Sequence, residues 1–399
     1  MPVAGGGEGE HPLELSPQAM RRLVDLAMER IVPFVESLPR QKASNLERAD
    51  EAARAVAQEL PEKGRELAKV LGLLFDQAVP KGFGTAGPGY LAYIPGGGLF
   101  QSAVADLIGD TVNRFVPLWA AAPGLATIEA DVVRWFARIV GYPPQARGYL
   151  TSGGSLANFG ALFAARKERL GDDLASATIY ASDQTHHSIL RAAILAGFPE
   201  ASGREIPSDG RFRIRLDLLA ETIRGDRAAG RRPFLVVGNA GTTNTGAVDD
   251  LPALAELAAR EGLWLHADAA YGGFFLLTDR GRRALAGIER ADSVVLDPHK
   301  GLFLPYGTGA LLVRDGEVLR RAHAVRADYL PAMAPEEEKV DFCQISPELS
   351  RGFRGLRVWL PFLMHGAGAF RRELDEKLDL ALWAESELRR IPGIEIVAA

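Results

Sequence analysis

A lysine and an aspartate follow two successive apolar segments of the chain, and both residue types could carry out covalent chemistry together. Lys300 lies just after the apolar run Ser293–Leu296, and Asp268 ends the strand-like run that begins at Leu263. A lysine that is shielded from water beside positive charge loses its proton more readily, and the neutral amine can then attack an aldehyde to form a Schiff base. A lone lysine after a strand is usually exposed to solvent and has no catalytic role. The aspartate at the end of the preceding strand-like run is what makes a catalytic role for Lys300 worth considering.

The pair meets the needs of one cofactor, pyridoxal 5′-phosphate. The ring nitrogen needs a carboxylate that keeps it protonated, which Asp268 could supply, and the aldehyde carbon needs a lysine at the other end of the ring, which Lys300 could supply. The phosphate needs backbone N–H groups and hydroxyls at a helix N-terminus. Segment 149–158 offers two glycines and three hydroxyls before a helical pattern. An ordinary glycine turn capped by serine is the alternative for that segment.

Two further segments could complete a site for the ring. Segment 180–188 ends a strand and opens a helix, and a histidine there could stack on the exposed face of the ring. We prefer His186 for this position and interpret His187 as a surface residue. Segment 234–243 has a buried-strand pattern followed by small hydroxyl residues. Taken alone it is the weakest evidence for a cofactor site among these segments, but its position along the chain relative to the others is the expected one.

Six segments in this order resemble the group II pyridoxal-phosphate decarboxylases of the aromatic-L-amino-acid decarboxylase type. The resemblance runs from about Leu15 to the C-terminal end. The segments that carry it are 151–155, 182–186, 206–210, 241–243, 266–272 and 297–300. The implied fold is that of the pyridoxal-phosphate-dependent transferases (aspartate aminotransferase type, fold type I).

The resemblance implies that eight residues hold the cofactor by its phosphate, its ring or its aldehyde carbon. They are Gly154, Ser155, His186, Thr243, Asp268, Ala270, His299 and Lys300. Gly154 and Ser155 would bind the phosphate, and Thr243 and Ala270 would flank the ring. His299 would lie beside the phosphate or the substrate carboxylate.

One tyrosine is expected to decide the outcome of the reaction. The cofactor serves several reactions, and the family uses a tyrosine on a mobile loop to return a proton to Cα after carbon dioxide leaves. Tyr329, just before the proline- and glutamate-rich stretch 331–339, matches it. A tyrosine that only anchors a loop is the alternative. Relatives that replace this tyrosine or the stacking histidine tend to form aldehydes, so we expect simple decarboxylation, with Lys300, His186, Tyr329 and Asp268 as catalytic residues.

The resemblance also implies a substrate pocket whose wall comes partly from the other subunit of a homodimer. The matching residues are Tyr93, Val116, Leu118, Trp119 and Arg354. Leu118 stands where an aromatic residue is common in the family, whereas Tyr93 and Trp119 suit a flat apolar side chain. For Arg354, a position on the surface of a helix is an equally good interpretation.

We therefore expect a carboxy-lyase that acts on an L-amino acid, with an aromatic substrate preferred. Three alternatives stay open from the sequence. They are an acidic or short-chain substrate, an aldehyde-forming decarboxylase–oxidase, and a non-catalytic cofactor-binding or scaffold protein. The sequence does not identify the amino acid.

Composition and charge exclude several other classes of protein. The net charge is −5, with 46 basic and 51 acidic residues interspersed, and no basic stripe suggests nucleic-acid binding. Cys343 is the only cysteine, which rules out an intrachain disulfide and suits a reducing compartment. Residues 1–11 lack the apolar core of a signal peptide, and no apolar run approaches the ~18 residues of a membrane helix. We expect a soluble cytoplasmic enzyme without a metal site.

Three regions are predicted along the chain. Residues 1–80 form an N-terminal helical segment, whose first helix Ser16 can cap. Residues 81–365 form a large cofactor-binding α/β domain, in which short apolar strands alternate with helix-length segments. That alternation predicts a mostly parallel sheet with helices on both faces and a ligand site at the carboxyl ends of the strands. Residues 366–399 are expected to start a small C-terminal domain that is incomplete here, with a strand at 394–399.

Overall fold

The computed structural model describes residues 13–94, 96–171, 173–324 and 339–398. The chain divides into two compact units, 1–95 and 96–399. This division lies after residue 95, whereas the sequence pattern places the first boundary after residue 80. The second predicted boundary, after residue 365, stays a prediction; the helical segment Gly355–Leu388 has a kink there, at Gly366.

The described residues of the first unit, 13–94, form three α-helices and a two-stranded antiparallel sheet. Helix α1 (Pro17–Ser37) begins after Ser16, whose hydroxyl accepts a hydrogen bond from the backbone N–H of Ala19 at 3.2 Å, so the predicted cap is confirmed. A π-helical turn (Leu73–Ala78) continues the last helix of the unit. The remaining elements are β1 (Ser44–Asn45), α2 (Ala49–Val56), α3 (Leu67–Gly72) and β2 (Gly82–Phe83).

The second unit alternates strands and helices, as the sequence predicts. Two helices precede its sheet, α4 (Phe100–Val112) and α5 (Pro123–Val140). The sheet and its connections follow in the order β3 (Arg147–Thr151), α6 (Gly154–Arg169), β4 (Ala177–Ser182), α7 (Ser188–Leu195), β5 (Gly203–Ile206), α8 (Leu216–Ala228), β6 (Arg232–Asn239), α9 (Leu251–Glu261), β7 (Trp264–Asp268), α10 (Asp279–Ala284), β8 (Ser293–Leu296), α11 (Pro298–Gly301) and β9 (Gly309–Val313). Helices α12 (Glu317–His323) and α13 (Gly355–Leu388) complete the unit.

The seven strands form one sheet in the order β3-β9-β8-β7-β6-β4-β5. Strands β5, β4, β6, β7 and β8 are parallel, and β9 is antiparallel to both of its neighbours. All strands except β9 therefore end at the same edge of the sheet. Every residue of β7, β8 and β9 is buried, so both faces of the central sheet are covered. The predicted mostly parallel α/β fold is confirmed.

Helix α6 lies close to the sheet because it turns small side chains toward it. Ala157, Ala161 and Ala164 are fully buried. At Gly160 a Cβ atom would lie only 2.1 Å from the Tyr149 hydroxyl of β3, so no larger residue fits without a shift of the helix. This packing fixes the N-terminus of α6 at the edge where the strands end.

The C-terminal part of the chain is mainly helical. Helix α13 is kinked at Gly366, whose φ of 69° is not helical. Residues 394–397 form no strand, contrary to the prediction, and Val397 is 69% exposed. No other strand among the described residues lies alongside them, and an isolated strand cannot satisfy its backbone groups within the protein. Among the helices of the described residues, none is both long and apolar enough to cross a membrane.

Candidate active site

A cavity of about 330 Å³ opens at the edge of the sheet where the parallel strands end. Its walls come from the loops and helix starts that follow β3, β4, β6, β7 and β8. The structure brings all eight residues predicted to hold the cofactor to the lining of this one cavity: Gly154, Ser155, His186, Thr243, Asp268, Ala270, His299 and Lys300.

One end of the cavity is formed by the N-terminus of α6. A Cβ atom on Gly154 would lie 2.9 Å from Asp297 Oδ2 and 3.2 Å from the Ala270 Cβ, so only glycine leaves this space open. The preceding Gly153 has a φ of 156°, close to the extended range. The first backbone N–H groups of a helix have no intrahelical acceptor and carry the positive end of its dipole. A sixteen-residue helix with an open glycine start and the exposed Ser155 can therefore hold a phosphate group.

Asp268 ends strand β7 and lines the cavity with both carboxylate oxygens oriented. Asn158 Nδ2 donates to Oδ2 at 3.2 Å, and the backbone N–H of Ala270 donates to Oδ1 at 3.2 Å. The residue is 8% exposed and lines the cavity. The carboxylate is thus fixed by neutral donors and can accept a further hydrogen bond from a protonated ring nitrogen.

A buried chain of hydrogen bonds stands behind Asp268 and has a defined direction. Because Asn158 Nδ2 donates to the carboxylate, its Oδ1 faces His266 Nε2, at 2.9 Å, and the histidine must donate there. Burial lowers the pKa of His266 to about 4, so the ring is neutral and its Nδ1 accepts from the Ser293 hydroxyl at 2.8 Å. Trp264 Nε1 in turn donates to Ser293 Oγ at 2.9 Å.

The same asparagine also orients His186. Asn158 Nδ2 donates to Ser188 Oγ at 2.9 Å, which leaves the Ser188 hydroxyl hydrogen to donate to His186 Nδ1 at 2.8 Å. Burial, together with the neighbouring His187, lowers the pKa of His186. His186 is therefore a neutral ring that carries its hydrogen on Nε2, and it lines the cavity beside Asp268.

Lys300 lies on the short helix α11, one turn from a buried acidic residue. Its Nζ is 3.0 Å from Asp297 Oδ2, and His299 Nε2 is 3.7 Å from the same oxygen. His299 Nδ1 is 2.6 Å from the carbonyl oxygen of Thr308, which can only accept, so Nδ1 carries the hydrogen. Burial raises the pKa of Asp297, and the nearby Lys300 charge opposes that effect. The lysine amine is held at the cavity wall by this contact.

The residues predicted to bind the substrate are not in the cavity wall of the second unit. Val116 and Leu118 are buried, and Val116 packs with Ala122 and Ala126 in a small apolar cluster. Half-buried Trp119 has Lys339 Nζ 4.9 Å from its ring centroid.

The remaining predicted residues have different surroundings. Arg354 donates to both carboxylate oxygens of Glu348, at 2.6 and 2.9 Å, so a contact with the substrate carboxylate stays a prediction. Tyr93 belongs to the first unit, where its side chain is 79% exposed. Tyr329 lies outside the residues that the structure describes.

Several residues of the cavity wall were not identified from the sequence. Asn158 stands one helical turn after Gly154 and so faces the same way, which was a usable signal. Asn239 ends β6 and pairs in register with Asp268 of the adjacent strand. Asp297 was part of a recognised motif but was given no role. The hydrogen bonds of Ser188 had no signal in the sequence, because they depend on where α6 and α7 meet.

The polar groups of the cavity fit pyridoxal 5′-phosphate. The glycine start of α6 suits the phosphate, the oriented carboxylate of Asp268 suits a protonated ring nitrogen, and the amine of Lys300 suits the aldehyde carbon. The lining also leaves Asp297 Oδ1 without a hydrogen-bond partner among the described residues, although the oxygen is buried. A buried carboxyl oxygen of this kind is consistent with a ligand that would complete the site.

Comparisons with known proteins agree with this chemistry. Residues 51–399 match the family model described as the pyridoxal-dependent decarboxylase conserved domain. An aromatic-L-amino-acid decarboxylase of Bacillus atrophaeus is 36% identical over 386 residues, which cover 96% of this chain and 80% of that protein.

Two crystal structures share the fold of this chain. That of Oryza sativa TDC with PLP and tryptamine has a TM-score of 0.90 and 27% identity, over 96% of this chain and 82% of that one. That of Catharanthus roseus tryptophan decarboxylase in complex with L-tryptophan has a TM-score of 0.89 and 25% identity, over 97% of this chain and 83% of that one. The cofactor is pyridoxal phosphate, the reaction is that of a carboxy-lyase, and the chain belongs to the pyridoxal-dependent decarboxylase family.

Proposed function

We propose that this enzyme decarboxylates an aromatic L-amino acid to the corresponding amine and carbon dioxide. The observation that carries the chemistry is the convergence of Lys300, Asp268 and the N-terminus of α6 on one cavity. The substrate class rests on relatives. The Bacillus atrophaeus protein is named for aromatic L-amino acids, and the Catharanthus roseus structure holds L-tryptophan.

The residues at the ring have separable tasks in this proposal. Bound pyridoxal phosphate supplies an electron sink for the electron pair that remains at Cα when carbon dioxide leaves. Asp268, held by Asn158 and Ala270, keeps the hydrogen on the ring nitrogen. His186 offers a flat neutral ring, and its hydrogen on Nε2 is free to point away from Ser188.

Two residues handle protons and the amine in this proposal. Lys300, whose amine lines the cavity, would hold the cofactor by its aldehyde carbon until the substrate amine takes that place. Tyr329 returns a proton to Cα after decarboxylation, which yields the amine rather than an aldehyde. This assignment of Tyr329 rests on the sequence, because the residue is outside the described part of the chain.

The proposal includes a homodimer. Exposed apolar side chains occur on α4, where Leu107 is 51% and Val112 is 47% exposed, and on α13, where Leu363 and Met364 are each 57% exposed. Exposed apolar side chains on these two helices, which pack against each other, support an interface there. Light scattering on the purified enzyme should give twice the mass of one chain, and a monomer at micromolar concentration would contradict this part of the proposal.

A substrate panel tests the proposed activity. The enzyme would be incubated separately with L-tryptophan, L-tyrosine, L-phenylalanine, L-histidine, L-glutamate and L-alanine, and the amine products would be quantified by mass spectrometry. We expect the highest kcat/KM with one of the aromatic amino acids. A clear preference for glutamate or alanine would overturn the substrate class while leaving the cofactor chemistry intact.

The cofactor attachment is tested by reduction and by a matched pair of lysine variants. Borohydride reduction followed by peptide mapping should place the pyridoxyl group on Lys300. Lys300→Ala should lose both the visible absorption of the bound cofactor and amine formation. Lys377→Ala, a lysine paired with glutamates on the surface of α13, should keep both. A label on any lysine other than Lys300 would contradict the assignment.

A further inference from the structure

Asp297 is a buried acidic residue of the active site whose charge is only partly balanced. Its side chain is 2% exposed, and Oδ2 receives the Lys300 ammonium at 3.0 Å. Oδ1 is buried and has no hydrogen-bond partner among the described residues. Removing a charged partner from a buried carboxylate is costly, because water cannot replace it. The protonation state of Asp297 therefore depends on whether the Lys300 ammonium is paired with it.

The other groups around Asp297 do not replace Lys300. His299 Nε2 is 3.7 Å from Oδ2, but its Nδ1 holds the hydrogen for the Thr308 carbonyl, so a neutral His299 turns a lone pair toward Asp297. The third charged group that acts on Asp297 is Asp268, and its negative charge disfavours a second carboxylate. The start of α6 faces Asp297 with Gly154, which carries no side chain. Lys300 is thus the partner that keeps Asp297 ionised.

Cofactor capture withdraws that partner and brings in further negative charge. The lysine nitrogen becomes bonded to the aldehyde carbon, and the phosphate belongs at the start of α6, where Asp297 Oδ2 lies 2.9 Å from the Cβ position of Gly154. An ionised Asp297 would then be a buried carboxylate next to a phosphate dianion. Two neighbouring negative charges in a buried site favour protonation of one of the two groups.

We propose that Asp297 is a proton-exchanging ligand of the cofactor phosphate: it is a carboxylate while it pairs with the Lys300 ammonium, and it becomes a neutral carboxylic acid that donates to the phosphate once Lys300 has captured the cofactor. Burial acts in the same direction as the proposed protonation, because it raises the pKa of the Asp297 carboxyl even in the presence of Lys300.

The hydrogen that Asp297 takes is available from Lys300 itself. The ammonium first gives one hydrogen to the carboxylate, which leaves a neutral amine. The amine forms a C=N bond to the aldehyde carbon, the C=O bond breaks, and the oxygen leaves as water with the two remaining nitrogen hydrogens. One ammonium, one aldehyde and one carboxylate thus give one C=N group, one water and one carboxylic acid, and no external acid or base is needed.

Infrared difference spectroscopy on apoenzyme and cofactor-loaded enzyme tests the proposal directly. Addition of pyridoxal 5′-phosphate should produce the C=O stretch of a protonated carboxylic acid, which shifts when the enzyme is grown on carboxyl-¹³C aspartate. The isosteric Asp297→Asn variant should lack the band. If labelled wild-type enzyme shows no such band, or if the band persists in Asp297→Asn, the proposal is wrong. The labelling experiment holds even if the variant does not fold.

A second measurement uses the pH dependence of cofactor binding. Since wild-type enzyme retains one more proton than Asp297→Asn when the cofactor binds, its affinity relative to the variant should rise as the pH falls, by roughly tenfold for each pH unit between about pH 6 and 8. Asp292→Asn is a matched control. Asp292 is a half-buried aspartate whose pKa is also raised by burial, but it accepts from the Leu265 N–H outside the cavity. It should follow the wild-type dependence.

A constant affinity ratio between wild type and Asp297→Asn across this pH range would overturn the proposal. Cofactor capture requires no amino acid, so these results stand or fall independently of the substrate class proposed above.

Discussion

Asn158 Nδ2 lies 3.2 Å from Asp268 Oδ2, so a residue of α6 orients the carboxylate that ends strand β7. The same nitrogen donates to Ser188, and Asn158 Oδ1 accepts from His266. A flipped amide would set its oxygen against the carboxylate and its nitrogen against the His266 donor. The hydrogen bonds of the amide are therefore satisfied in one orientation only, and in that orientation Asn158 links Asp268 with His186 through Ser188.

Asn158→Ala should weaken cofactor binding although Asn158 itself need not touch the cofactor. Asp268 would lose one donor and the buried Nε2–H of His266 would lose its acceptor, and an unsatisfied buried polar group costs about 1–3 kcal/mol. Fluorescence titration should show a dissociation constant about tenfold or more above wild type.

A control separates this effect from a general loss of stability. Tyr180→Phe removes a hydroxyl of a fully buried ring that donates to Asp226 outside the cavity. It should lower the free energy of unfolding without changing cofactor affinity. Equal cofactor affinities in Asn158→Ala and wild type would show that Asp268 does not depend on Asn158.

Asp268→Asn should bind the cofactor more weakly and lose most turnover. A neutral amide cannot hold the hydrogen on the ring nitrogen, and the loss of one charge-assisted hydrogen bond is worth about 1.5–3 kcal/mol. The effect on kcat should exceed the effect on binding, because the electron sink is used only after the substrate is bound. Steady-state kinetics at saturating cofactor would measure this, and wild-type kcat would contradict the role of Asp268.

Most of the cavity lining could be predicted from the sequence because the residues proposed to hold the cofactor follow strands. Parallel strands end at one edge, so Asp268, Lys300 and His186 could be placed together from their positions after apolar runs. The polar network behind them could not be predicted. The contact of Asn158 with Asp268 depends on how closely α6 packs on the sheet, which the small residues of that helix decide in three dimensions.

The substrate residues stay a prediction. Val116 and Leu118 were assigned to a pocket wall that the other subunit of a homodimer supplies, and in the single chain they are buried. An apolar residue gives the same signal in a sequence whether it lines a pocket or fills a core. A different limit appears at 394–397, which forms no strand, because an apolar alternation forms a strand only beside another strand.

His323 should make the protein sensitive to acid. Burial lowers the pKa of His323 to about 4, and the ring packs on Phe163 with a centroid distance of 5.2 Å. Its Nε2 is buried without a hydrogen-bond partner in the described part of the chain. Between about pH 6.5 and pH 4 the unfolded chain binds a proton that the folded chain does not, so stability falls as the pH falls.

The variant His323→Phe should remove this contribution. From pH 7.5 to pH 5 the wild type should lose about 2 kcal/mol of unfolding free energy relative to the variant. Urea unfolding at both pH values, with cofactor at the same saturation, measures the difference. A pH-independent difference between the two proteins would mean that His323 is not held neutral in the folded state.

Tyr329→Phe should change the product rather than the binding of substrate. The phenylalanine keeps the ring but cannot give a proton to Cα, so the carbanion left by decarboxylation would survive longer and oxygen could intercept it. We expect less amine, with new aldehyde, ammonia and hydrogen peroxide. Unchanged amine formation without oxygen uptake would identify another proton donor, and His186 would be the next candidate.

The stoichiometry of the wild-type reaction tests the proposed chemistry most directly. Carboxyl-labelled substrate, chosen as the best aromatic amino acid of the panel, would be converted in a sealed cell with an oxygen electrode. Simple decarboxylation predicts one labelled carbon dioxide and one amine for each substrate consumed, with no oxygen uptake. Oxygen consumed in proportion to carbon dioxide, with aldehyde in place of amine, or substrate consumed without release of the label, would contradict the account.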